Sequence, residues 1–233
     1  MIYVFETMGT VVSIEPPRSV PEVESAFAEY DARFSLYRPE SELGRIADGS
    51  LALMDASEMV RDAYARSLEW RSITGGAFTP HRPDGILDLS GIVKALAMER
   101  ASEILGSSGD WILNAGGDVL TSGSAATIGI VDPHDRRQLL TSVGLGGSRR
   151  AVATSGTAER GDHIWGRGGL AQVTVVANDI VTADVLATAI LAGGTDTLNL
   201  STSTWDIDAL AIDPEGNLLV TPGFTASIAA AVP

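Results

Sequence analysis

No cysteine occurs among the 233 residues, which excludes a disulfide, a thiolate metal site, a thiol nucleophile and a lipid-bearing cysteine. Lysine is almost as scarce: fifteen of the sixteen basic residues are arginine, and Lys94 is the exception. Positive charge is short overall, with 30 acidic residues leaving a net charge of −14. That balance argues against binding nucleic acid through its phosphates and against adhesion to an anionic membrane. Met1 to Thr10 lack a basic region followed by a long apolar run, and no unbroken apolar run approaches the roughly 20 residues that span a bilayer. The expectation is a cytoplasmic protein with no membrane anchor. Two nucleotide-binding signatures, G-x-G-x-x-G after a strand and G-x-x-x-x-G-K-[ST], are missing. Paired-histidine and H-E-x-x-H spacings are missing too, which disfavours a zinc hydrolase. Any metal is then expected to be Mg²⁺, held by a few oxygens and by substrate phosphate.

What is present reads as an enzyme-like chain, 45% hydrophobic and 20% charged, expected to form one unit over residues 1–233. Residues 1–14 alternate in polarity around Gly9, as a strand pair or a bulged strand would. Pro21 opens an amphipathic helix carrying Val23, Phe27, Tyr30 and Phe34. Asp55-Ala-Ser-Glu58 has the form of a capping box before a second helix to about Ile73. A third runs from Gly91 to Leu105 and stops at Gly106. Short apolar runs follow at residues 111–114, 119–121, 127–132, 150–154 and 173–177, with a closing hairpin over 206–221. Helices early, strands in the middle and one late helix predict an α+β fold with a largely antiparallel sheet.

The late helix, Asn178 to Gly194, carries chemistry among apolar residues. Asp184 and Thr188 are four apart, so their oxygens stack on one face, where they suit a hard cation. Thr182 is a candidate N-cap, and a capped core helix with a carboxylate near its positive end explains the same residues without any ligand. Asn114-Ala-Gly-Gly-Asp118 joins two strands by adjacent glycines, which bring backbone close to a ligand or simply turn the chain. Thr154 to His163 gathers hydroxyls, Glu159, Arg160 and a histidine in a glycine-containing polar stretch, and His163 is a candidate general base. His81 and His134 lie in proline-rich turns and are expected at the surface.

Seven collinear segments resemble the ApbE family of FAD:protein FMN transferases. They are Glu6-Thr-Met-Gly-Thr10, Phe34 to Leu43, Thr74-Gly-Gly-Ala-Phe78, Leu87-Asp-Leu-Ser-Gly-Ile-Val-Lys94, Asn114-Ala-Gly-Gly-Asp118, Ala153-Thr-Ser-Gly156 with Glu159, Arg160 and His163, and Thr182 to Thr188. The resemblance implies an enzyme that uses FAD as substrate and Mg²⁺ to attach FMN through a phosphoester to a Ser or Thr of an acceptor flavoprotein, releasing AMP. It assigns Asp184 and Thr188 to the metal, with Ala187 and Gly91 beside them. It assigns Met8, Tyr37 against the flavin ring, Ala77, Phe78, Thr79, Asp88, Lys94 and Ala171 to FAD, together with the motif residues Asn114, Gly116, Gly117 and Asp118. His163 stands where the family has the histidine that deprotonates the acceptor hydroxyl. The chain has Ala47 where Asn is common, Thr79 where Asp is favoured, and Trp165 to Gly168 where Asp-Pro usually follows the histidine. Two other activities fit the same residues: an FAD pyrophosphatase giving FMN and AMP, and a protein that binds FAD without turnover.

Overall fold

Along each central strand the side chains alternate between two separate cores, and this alternation sets the layering of the molecule. A computed structural model describes residues 1–107, 109–156 and 169–231. Strands β1 (Tyr3–Thr7) and β2 (Thr10–Glu15) precede four helices, α1 (Val20–Phe34), α2 (Glu42–Ala47), α3 (Glu58–Ile73) and α4 (Ser90–Leu105). Then come β3 (Ile112–Ala115), β4 (Asp118–Thr121), β5 (Ala126–Val131), β6 (Leu139–Leu145), β7 (Ala151–Gly156) and β8 (Gln172–Ala177). Helix α5 (Ile180–Thr204), β9 (Asp208–Ile212), β10 (Leu218–Val220) and α6 (Pro222–Ala231) complete the chain. Eight strands form one sheet in the order β1-β2-β3-β4-β7-β8-β9-β10, and every neighbouring pair is antiparallel. The expected α+β fold is observed.

On one side, Leu120, Ala151, Ala153, Val175, Ala177, Ala209 and Ala211 join the main core under α1, α4 and α5. On the other, Val119, Val152, Val176, Leu210 and Ile212 pack with Phe224 of α6 and with the β5–β6 hairpin. Phe27, Trp111 and Phe224 are fully enclosed, each burial contributing about 2–3 kcal/mol by area. The alanine content of the helix-facing side has a consequence: methyl groups let α5 lie close on β7 and β8.

Helix α5 differs from its expected form. Asp179, not Thr182, is its N-cap; the carboxylate accepts from the Thr182 N–H at 2.8 Å and from the Thr182 hydroxyl at 2.8 Å. Asp wins because it precedes the first helical residue and can reach two donors at once. The helix also continues past Gly193-Gly194, where it kinks: Gly194 has φ 70° and ψ −155°. The kink is required by topology. β8 ends and β9 begins at the same end of the sheet, Val176 being paired with Asp208, so the connecting helix must go out and come back. Among the described residues this helix alone is long and apolar enough to cross a membrane, but 61% of its most apolar window is buried inside the protein. It is the central core helix.

In α3 the N-cap is Ser57, whose hydroxyl accepts from the Val60 N–H at 3.4 Å, rather than Asp55. The Ser57 N–H in turn donates to Glu42 Oε2 at 2.6 Å, while Arg33 Nη1 donates to Glu42 Oε1 at 2.6 Å. Glu42 thereby ties α1, α2 and α3 together. Burial pushes its carboxyl up, but the Ser57 N–H and the Arg33 guanidinium outweigh that and hold it below the usual range. A depressed folded pKa stabilises the fold above the unfolded pKa and the gain disappears as pH falls. Glu42→Gln should therefore cost about 1 kcal/mol at neutral pH. The difference from the parent chain, measured by urea denaturation, should shrink steadily as pH falls through and below the usual carboxylate range.

Candidate functional site

Strand register brings four connections to one end of the sheet. Thr7 pairs with Thr10, Val12 with Ala115, and Ala115 with Asp118, so the Met8-Gly9 and Gly116-Gly117 turns are neighbours. Gly156 pairs with Gln172, and Gln172 with Ile212, which adds both ends of the 157–171 connection and the β9–β10 turn. Both hairpins have two-residue loops with positive φ throughout: 50° and 67° at Met8 and Gly9, 62° and 97° at Gly116 and Gly117. This is the type I′ pattern, whose twist matches that of the strands it joins. Glycine suits three of the positions, while Met8 holds its left-handed backbone with a side chain partly buried against the main core. At Gly116 a Cβ would also collide with the Thr10 hydroxyl. The Asn114 side chain closes the second turn by accepting from the Gly117 N–H at 3.1 Å.

Beneath this turn lies a buried ion pair. Lys94 on α4 sets its ammonium against Asp118 Oδ2, and Asp118 Oδ1 accepts from the Thr154 N–H at 3.1 Å. The two side chains are 9% and 1% exposed. The contact locks α4, β4 and β7 into one unit. A little further along β7, Ser155 Oγ is 3.1 Å from Thr188 Oγ1 on α5. Asp184, 6% exposed, lies one turn back along the same helix face. Ala187 is fully enclosed beside them and offers no side-chain oxygen.

The remaining assigned residues surround this centre. Phe78 is buried and its ring abuts Gly91, where an added Cβ would stand 3.1 Å from it. Ala77 likewise closes on Gly193 at the α5 kink, at 3.1 Å from a Cβ built there. Thr79 accepts from the His81 N–H at 3.3 Å, and Asp88 accepts from the Ser90 N–H at 2.9 Å just before α4. Tyr37 is 87% exposed in the α1–α2 connection. His81 is partly buried, contrary to expectation, because its ring packs edge-on against Tyr64 and bonds its hydroxyl at 3.3 Å. His163 lies outside the described residues, as do Glu159 and Arg160.

On the opposite face of the sheet, a cavity of about 340 Å³ opens under the β5–β6 hairpin. Gly116, Gly117, Thr154, Gly156 and Ala171 line its sheet side, and Asp132, His134 and Arg136 line its outer wall. Gln172 fastens that wall by donating to the Val131 carbonyl at 3.1 Å. The glycine turn and Ala171 thus meet at one cavity, which Met8, Tyr37, Asp88, Lys94 and Asp184 do not line. Sequence reading missed this wall and the Ser155 contact. The Asp132-Pro-His134 turn carried no period, and Ser155 gained meaning only when α5 was laid over β7.

No group of three or more His, Asp or Glu side chains able to hold a metal occurs among the described residues. One carboxylate with hydroxyls nearby fits a cation such as Mg²⁺, which keeps waters and shares oxygens with a substrate's phosphates.

The ApbE family model matches residues 8–82 and 79–211. The ApbE protein of Thermotoga maritima is 21% identical with a TM-score of 0.83, over 98% of this chain and 99% of that one. The flavinyl transferase ApbE of Pseudomonas stutzeri is 21% identical with a TM-score of 0.79, over 100% and 97%. The flavin transferase ApbE of Vibrio cholerae is 20% identical with a TM-score of 0.76, over 97% and 98%. These structures share the fold. No curated protein sequence matches the chain.

Removing one member of the buried ion pair strands the other. Lys94→Ala should lower stability by about 3 kcal/mol in urea denaturation, and Lys94→Ala with Asp118→Ala should recover part of that loss.

Proposed function

The chain belongs to the ApbE family, and from that premise we propose that it transfers FMN from FAD to a Ser or Thr hydroxyl of an acceptor flavoprotein, with Mg²⁺, releasing AMP. One observation carries the reading furthest. The Asp184–Thr188 face, Ser155 and the Lys94–Asp118 pair gather where α4 and α5 meet the glycine-turn end of the sheet. In a chain of net charge −14, an anionic dinucleotide needs such a local concentration of donors and cation sites.

In the reaction, the acceptor oxygen bonds to the phosphorus that carries riboflavin, and the bond from that phosphorus to the AMP phosphate oxygen breaks. No protein nucleophile is needed. Asp184 and Thr188 would hold Mg²⁺, which when bound neutralises pyrophosphate oxygens and charge developing on the departing AMP. Gly116 and Gly117 are exposed and carry no side chains of their own, so a ligand can come close to this turn, whose N–H groups are held by the Val11 carbonyl and the Asn114 side chain. Lys94, clamped by Asp118, brings a fixed cation to the helix α4 side of the site. His163 takes the proton from the acceptor hydroxyl, which is a weak nucleophile until it is deprotonated. Tyr37, exposed in a connection that Glu42 anchors at both ends, offers a ring for the flavin to stack on.

The test is to incubate purified protein with FAD, Mg²⁺ and a candidate acceptor domain. The expected products are a fluorescent, covalently flavinylated acceptor and AMP. FMN and AMP with a valid acceptor left unlabelled would make the enzyme a pyrophosphatase, and bound FAD with neither product would make it a carrier. Asp184→Ala should abolish metal-dependent turnover while the urea midpoint stays near that of the parent. His163→Ala should slow transfer by about 10²–10⁴-fold with FAD affinity unchanged. A drop in FAD affinity alone would instead make His163 a binding residue.

A further inference from the structure

We propose that Ser155 is a positioning residue for Thr188: its oxygen accepts the Thr188 hydroxyl proton and so turns the Thr188 lone pairs toward the cation. The inference rests on the reading above that Thr188 is a metal ligand. A threonine hydroxyl has one proton and two lone pairs. When a lone pair faces a cation, the proton must point away and needs an acceptor, and in this half-buried place a fixed one keeps the donor satisfied. Ser155 Oγ, 3.1 Å from Thr188 Oγ1, is that acceptor. A cation polarises the hydroxyl it binds, and charge-assisted bonds of this kind are shorter and stronger than neutral ones.

Strand geometry explains why Ser155 does this and its neighbours do not. Ala151, Ala153 and Ser155 share the α5-facing side of β7, so Ser155 is the polar member of an otherwise methyl file. It stands on the rung where Thr188 arrives, one helical turn beyond Asp184. Thr154 points to the opposite face, where its hydroxyl is 2.9 Å from that of Thr174. Two hydroxyl pairs therefore occur on consecutive β7 residues, and the Ser155 pair is the one that faces the metal candidates.

The dissociation constant for Mn²⁺, standing in for Mg²⁺, is read from the electron paramagnetic resonance signal of the free ion titrated with protein alone. Ser155→Ala should weaken Mn²⁺ binding by about tenfold or more, and Ser155→Thr, which keeps the hydroxyl, should restore it. Thr188→Ala should weaken binding at least as much. The double variant should then be no worse than Thr188→Ala, because the two residues act as one unit. Thr154→Ala should leave the Mn²⁺ constant unchanged. Unchanged Mn²⁺ binding in Ser155→Ala while Thr188→Ala is impaired would overturn the positioning role alone. So would effects that simply multiply in the double variant, or an equal loss in Thr154→Ala. Unchanged binding in Thr188→Ala would remove Thr188 from the metal site and this inference with it.

Discussion

The close seat of α5 on the methyl-lined side of the sheet is the constraint on which the rest of the structure depends. Ala151 and Ala153 on β7, Ala177 on β8, and Ala209 and Ala211 on β9 all contribute to the core beneath it. Larger side chains there would push the helix outward, since packed cores relax only partly. The 3.1 Å meeting of Thr188 and Ser155 would then be lost. Close packing and the chemistry of the site are in this respect a single property of the sheet.

The fold was legible where its pattern was periodic. The β1–β2 pair, α1, α3, α4 and the closing hairpin followed from spacing and from their Gly and Pro punctuation. Three elements did not. Helix α2 has only six residues, too few for a period to emerge, and its Ser41 cap is recognisable only once the turn is seen. Strand β6 reads Leu-Leu-Thr-Ser-Val-Gly-Leu, with most positions only half covered, so no sharp alternation marks it. Helix α6 opens on Pro-Gly directly after β10, a pair that reads as a turn. The return arm of α5 was hidden by a Gly-Gly pair that looks like a stop and is in fact a reversal.

The site was legible in a different way. Spacing alone made Asp184 and Thr188 neighbours, and the glycine pair at 116–117 announced a tight turn. Neither feature distinguished a ligand site from a capped helix and a hairpin. Asp179 shows why: the cap proper lies before the helix, which frees Asp184 from that duty. The Lys94–Asp118 contact spans two elements 24 residues apart in sequence, and the Asp118 bond to Thr154 spans a further 36. Such pairings exist only in the folded chain. The cavity wall at Asp132, His134 and Arg136 belongs to the same class, since a turn acquires a function from what it is folded against.

The burial of Lys94 has one more consequence. It is the sole side-chain amine among these 233 residues, and its side chain is buried. Lysine-directed chemistry, whether acylation, reductive methylation or cross-linking, meets no other lysine in this sequence. Its rate is therefore a clock on the separation of α4 from β4. Modification at Lys94 counts local opening events one by one, and a ligand seated over the ammonium would slow the clock in proportion to its occupancy.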